Sequence, residues 1–245
     1  MSALEFEPGL AEEAVFLWVS RRLESEATVA AWQRERESLY HSAPGPARER
    51  AFREHAAGWF DRLRLGQPIH SALRACPRVA QGIPALSVRG VVRARDEGSE
   101  VLGTAGADQP ERMVLGLRPQ RFLDPPALEE LALREFLHAD DMLDPEFGFD
   151  PVFDPGFPSG YGNRERVRDR LRVLWEARVH GRMARGVNPR AAPPAPDADF
   201  RVAFGRDADS SAVDALFCGA WSGALATYGA LLERAAHPGT RSAAG

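Results

Sequence analysis

No lysine occurs in this chain. All 31 positive side chains are arginine, set against 35 aspartates and glutamates for a formal net charge of -4. Neither sign forms a long run, so the counterion release that drives general nucleic-acid binding has no basis here, and GC-rich coding explains the arginine usage better than phosphate recognition does. Cysteine is scarce as well. Cys76 and Cys218 lie far apart and outside any CxxC pair, which suggests buried thiols in a reducing compartment more than a disulfide framework. No apolar run reaches the roughly 20 residues of a membrane span. The opening MSALEFEPGLAEEAV carries acids where a secretory leader carries basic residues, so the expected address is the cytoplasm. GxSxG, P-loop and GxGxxG contexts are missing too, which leaves serine hydrolase and nucleotide-binding readings without support. What is present is 245 residues, 44% of them hydrophobic, long enough to bury the core of an ordinary domain.

Hydrophobic periodicity predicts a helical N-terminal part. Over residues 8–40, Val15, Trp18, Val19, Leu23, Val29 and Trp32 recur at helical spacing, with a break near Ser25. The stretch Ser42 to Pro46 stops this pattern, and Phe52, Trp59, Phe60 and Leu63 mark a further amphipathic helix ending near Gly66. Between Ile83 and Leu117 the chain changes to short apolar runs separated by glycine and acidic residues, which predicts two or three antiparallel strands. Asp124 followed by Pro125 and Pro126 starts a helix running to about Leu143, where Pro145 ends it. Residues 144–162 form a long loop rich in proline, glycine and phenylalanine. Asn163 then caps a helix over 164–185, and a stiff linker beginning PRAAPPAPDAD leads to a final apolar helix over 211–236.

Within the helix after Asp124 stands Arg134-Glu135-Phe136-Leu137-His138, which is HExxH with the first histidine replaced. In the intact motif two histidines one turn apart bind zinc, and the glutamate beside the first acts as general base on the metal-bound water. Arginine has no lone pair to give and stays protonated. A guanidinium held about 5 Å from a dication costs about 6 to 7 kcal/mol at an effective dielectric of about 20.

The string LREFLHADDMLDPEFGF, Leu133 to Phe149, resembles an uncharacterised bacterial group of HExxH zincin-like metallopeptidases carrying a segment like RHELLHxxDMLDPxFGY, followed by a helix like RDRYRVLWDxxxDGR. The second element is matched by Arg168 to Glu176 and then His180-Gly181-Arg182, and the strand region with Asp96-Glu97-Gly98-Ser99-Glu100 is also similar. The likeness covers roughly residues 60 to 186. It implies that Glu135 matches the general base, His138 a metal histidine and Asp141 an acid on the same helix face. Glu176, with His180 one turn on, is the preferred third-ligand position, and Asp144 competes for that role. With metal absent, Arg134 would act as a surrogate cation among the acids.

The resulting expectation is an α+β fold: a mainly helical zincin-like domain with a small antiparallel sheet beside the motif helix. Residues 1–66 form an N-terminal helical region, 67–186 the zincin-like core, and 187–245 a linker and C-terminal helix packing on that core. The expected function is that of a catalytically impaired pseudoenzyme with a peptide or protein partner, no membrane or nucleic acid, and no cofactor. One alternative is an unusual zinc-dependent hydrolase with His138, Glu176 and His180 as ligands; another is a non-enzymatic helical interaction protein. Phe147, Phe149, Phe153 and Phe157 are expected to pack the long loop on the core rather than to line a peptide groove.

Overall fold

Prolines set the starts of the N-terminal helices. In the computed structural model, which describes residues 3–21, 23–41, 44–103, 112–149, 164–187, 192–205 and 207–238, a short strand β1 (Ala3–Phe6) is followed by α1 (Pro8–Ser20), α2 (Glu26–Leu39), α3 (Pro46–Arg62), α4 (Gln67–Arg74) and α5 (Pro77–Gly82). Pro8, Pro46, Pro68 and Pro77 each sit in a first turn, where the missing N–H would have had no intrahelical partner. The expected break near Ser25 is the start of α2, whose Ser25 hydroxyl accepts a hydrogen bond from the Thr28 amide at 3.2 Å. Ser42 and Ala43, at the stop expected before α3, lie outside the described residues.

The strands are β2 (Ala85–Gly90), β3 (Gly98–Leu102) and β4 (Arg112–Leu117), and the sheet order is β1-β2-β4-β3. β1 is parallel to β2, β2 is parallel to β4, and only β3 runs antiparallel, along the β4 edge. The expected small antiparallel sheet is therefore corrected to a mixed, four-stranded one. Helices α1 to α5 form the crossover that parallel pairing requires between β1 and β2. β4, which follows β3 in the chain, pairs with it on one side and with β2 on the other. Leu86, Val88, Met113, Leu115 and Leu117 are buried from the sheet, together with Leu10, Val15, Phe60, Ile69 and Phe122. Gly66 lies close to β1, where an added Cβ would be 2.8 Å from the Phe6 ring and would push that ring aside.

Glu97 ties the strand region to the turn Pro119–Leu123 that feeds the next helix. Its side chain, 4% exposed, accepts from Arg121 Nη2 at 2.8 Å and Nε at 3.0 Å, and from the Arg118 amide at 3.1 Å. Burial alone would raise the pKa of this carboxyl, but the hydrogen bonds from Arg121 and Arg118 outweigh it and lower the value to about 2. A lowered folded-state pKa adds stability that is present above the unfolded value and disappears as pH falls toward the folded one. Both guanidiniums are about a third open to solvent. Glu97→Gln is therefore expected to cost about 2 to 3 kcal/mol at neutral pH, with the gap from wild type closing between pH 4.5 and 2 in urea denaturation. A gap that does not change over that range would contradict the assignment.

Helix α6 (Pro125–Met142) begins as expected, with the Ala127 amide bonded to Asp124 Oδ1 at 3.2 Å. Then come α7 (Arg164–Val187), α8 (Ala198–Phe204), α9 (Ser210–Ser222) and α10 (Tyr228–Ala236). Asp197, Asp209 and Thr227 cap the last three by accepting amide hydrogen bonds at 2.8, 2.8 and 3.1 Å. The single final helix expected over 211–236 is two helices, divided where Gly223 takes a left-handed φ of 82°. Asn163, most of the 144–162 loop and the start of the expected linker lie outside the described residues. Of the two cysteines, Cys76 is buried but Cys218 is exposed on α9, so the expectation of two buried thiols holds for one.

The chain divides into two compact units, Met1–Phe136 and Leu137–Gly245, a boundary that falls inside α6. In the second unit α7 packs against α8, α9 and α10, around Phe147, Leu171, Leu174, Phe200, Phe204, Phe217 and Leu231. Arg170, 4% exposed, bonds the Ala203 carbonyl at 3.0 Å, the Ala235 carbonyl at 3.3 Å and the Asp207 carboxylate, so it satisfies acceptors near the ends of α8 and α10. Among the described residues no helix is long and apolar enough to cross a membrane.

Candidate functional site

The degenerate motif straddles the two units: Arg134 and Glu135 belong to the first, His138 to the second. Glu135 is 13% exposed, and both of its oxygens are engaged. Oε2 accepts from the Ser99 amide and from the Ser99 hydroxyl, each at 2.9 Å. Oε1 accepts from Arg134 Nη2 at 2.9 Å and from Nε at 3.3 Å. Ser99 reaches it from the edge strand β3, just after Gly98, whose φ of 143° favours glycine. A carboxylate holding four such donors can act as a base only after shedding some of them.

In the second unit His138, Glu176 and His180 come together. His138 Nε2 lies 3.0 Å from Glu176 Oε2, and His180 Nε2 lies 3.2 Å from Glu176 Oε1, so one carboxylate is shared by two imidazoles. The helical spacing of Glu176 and His180 makes the second contact, and the edge of the Trp175 ring, 5.2 Å away between centroids, supports the His138 imidazole. Which ring nitrogen of each imidazole carries the proton depends on its tautomer. Among the described residues no group of three or more histidines, cysteines and acids is arranged to hold a metal ion.

Asp141 and Asp144 are placed elsewhere. Asp141, 1% exposed, accepts from Trp175 Nε1 at 2.9 Å and Arg178 Nε at 3.3 Å, and pairs with Arg182. Neighbouring Asp140 pairs with Arg182 Nη2 at 2.7 Å. This cluster ties the last turn of α6 to α7. Asp144 Oδ1 accepts the Glu146 amide at 3.1 Å, and the Asp144 carbonyl accepts the amides of Phe147 and Gly148, which shapes the turn after the helix.

Phe147 and Phe149 pack on Trp175 and Tyr228, with ring centroids 5.2 to 6.0 Å apart. Phe153 and Phe157 lie outside the described residues. Sequence reasoning passed over Ser99, Asp140, Arg178 and Arg182. Ser99 and Arg182 stand inside the strings that carry the resemblance, but nothing in residue type marks a serine or an arginine as the partner of a particular acid. Comparison with protein-family models, curated proteins and solved structures finds no match.

Proposed function

We propose that the chain is a degenerate zincin-like metallopeptidase domain that has lost metal-dependent hydrolysis and acts as a binding or regulatory protein for a peptide or protein partner. The observation that carries this reading is the engagement of Glu135. The residue in the general-base position has one oxygen held by Arg134 and the other by the backbone and hydroxyl of Ser99. Catalysis would need that carboxylate aimed at water and a neutral ligand at position 134, where a permanent cation stands.

A second reading, an unusual zinc-dependent hydrolase using His138, Glu176 and His180, is favoured by one feature. The three side chains meet at one carboxylate, with His138 Nε2 3.0 Å from Glu176 Oε2 and His180 Nε2 3.2 Å from Glu176 Oε1.

Zinc content and peptidase activity of the wild type beside Arg134→His separate the two. On the first reading the wild type purifies with under about a tenth of an equivalent of zinc, and the histidine variant takes up markedly more. Near-stoichiometric zinc in the wild type, lost in His138→Ala, would sink the pseudoenzyme reading.

A further inference from the structure

The N-terminal helices hold an open hollow that has no part in the proposed hydrolase-like site. It has a volume of about 350 Å³ and is lined by Glu12, Arg36, Tyr40, Glu49, Phe52 and Arg53 from α1, α2 and α3. An adjoining hollow of about 340 Å³ shares Glu12 and Arg36 and adds Glu13 and Phe16. Each lies at the small end of ligand-binding volumes.

Arg36 is held there in an unusual way. Its guanidinium carbon lies 5.2 Å from the Trp32 ring centroid, 5.7 Å from Phe52 and 6.0 Å from Phe16. These contacts use the faces of the rings and fix the cation without consuming its N–H groups. It forms a long ion pair with Glu12 Oε1 at 4.0 Å, beyond hydrogen-bond distance, and its guanidinium donates to no side chain or carbonyl among the described residues. A planar fork of donors is thus pre-positioned at the cavity, which suits a carboxylate.

The surrounding charges narrow the class of ligand. Glu12 and Glu49 line the same hollow as Arg36 and Arg53, so a simple anion on Arg36 would meet carboxylates beside it, and a simple cation would meet Arg36 and Arg53. A molecule carrying both charges pairs with both sets. Phe16 and Tyr40, 46% and 57% exposed, offer aromatic surface at the rim. We propose that this hollow binds a zwitterionic amino acid, with its carboxylate on Arg36, its ammonium among Glu12 and Glu49, and an aromatic or apolar side chain against Tyr40 and Phe52.

Calorimetric titration of the full-length protein with L-phenylalanine tests this directly, beside 3-phenylpropionate, which lacks the ammonium, and phenethylamine, which lacks the carboxylate. Saturable binding of L-phenylalanine is expected, with each analogue at least about tenfold weaker. Arg36→Gln and Glu12→Gln, each checked for native circular dichroism, are expected to weaken L-phenylalanine binding about tenfold or more. Absence of saturable L-phenylalanine binding up to about 10 mM, equal binding of the three compounds, or unchanged affinity in both folded variants would overturn the proposal.

Discussion

Asp141→Ala is expected to lower the unfolding free energy by about 3 kcal/mol. Asp141 is 1% exposed and serves Arg178, Arg182 and the Trp175 indole at once. Removing one partner of a buried ion pair costs about 3 to 5 kcal/mol, because the opposite charge stays behind without compensation. The lower end applies here, since Arg182 keeps Asp140 and the Arg178 guanidinium keeps the Phe147 ring, 5.1 Å from its centroid. Urea denaturation read at the midpoint checks it. A loss below about 1 kcal/mol would mean that Asp141 is not the anchor between the end of α6 and α7.

Gly181→Ala is the second large effect, of order 3 kcal/mol. A Cβ at Gly181 would overlap the Trp221 carbonyl, so α7 and α9 would have to move apart along their crossing. That carbonyl also accepts from Arg185, which would lose its acceptor in the same movement. Gly186, on the same helix, has nothing within 4 Å of its added Cβ. There, one residue from the end of α7, the change to alanine is expected to stabilise slightly, by at most about 0.5 kcal/mol, through helix propensity alone. Opposite signs at the two glycines, measured by thermal or urea unfolding, isolate the packing effect. A neutral Gly181→Ala would contradict the close approach of the two helices.

Signals confined to a few neighbouring residues were legible in the sequence. Ser25 breaks the first helical stretch and caps α2, and Asp124 with its two prolines starts α6, because caps and prolines act within one turn. Pairing between distant segments was not legible. The four residues of β1 gave no periodicity of their own, and their parallel partner lies some eighty residues away. A hairpin-like run of strands reads as antiparallel unless the distant partner is known. Gly223 inside an apolar run was passed over because apolar spacing continues on both sides of it. Asp141 shows the same limit in the candidate site. Helical spacing placed it one turn beyond His138, but its carboxylate is bonded to arginines of α7 that composition alone could not assign to it. The contact of His180 with Glu176 lies within one helical turn and so within reach of sequence spacing, whereas the contact of His138 with Glu176 joins two separate helices.

The most direct measurement is a zinc titration of the wild-type protein, followed by calorimetry. Structural zinc held by four protein ligands is bound with about 10 to 16 kcal/mol, which places Kd at tens of nanomolar or below and marks the range of a well-built protein site. With a guanidinium in the first ligand position, no saturation is expected at micromolar zinc. Stoichiometric binding at nanomolar affinity, abolished by His138→Ala, would contradict the account.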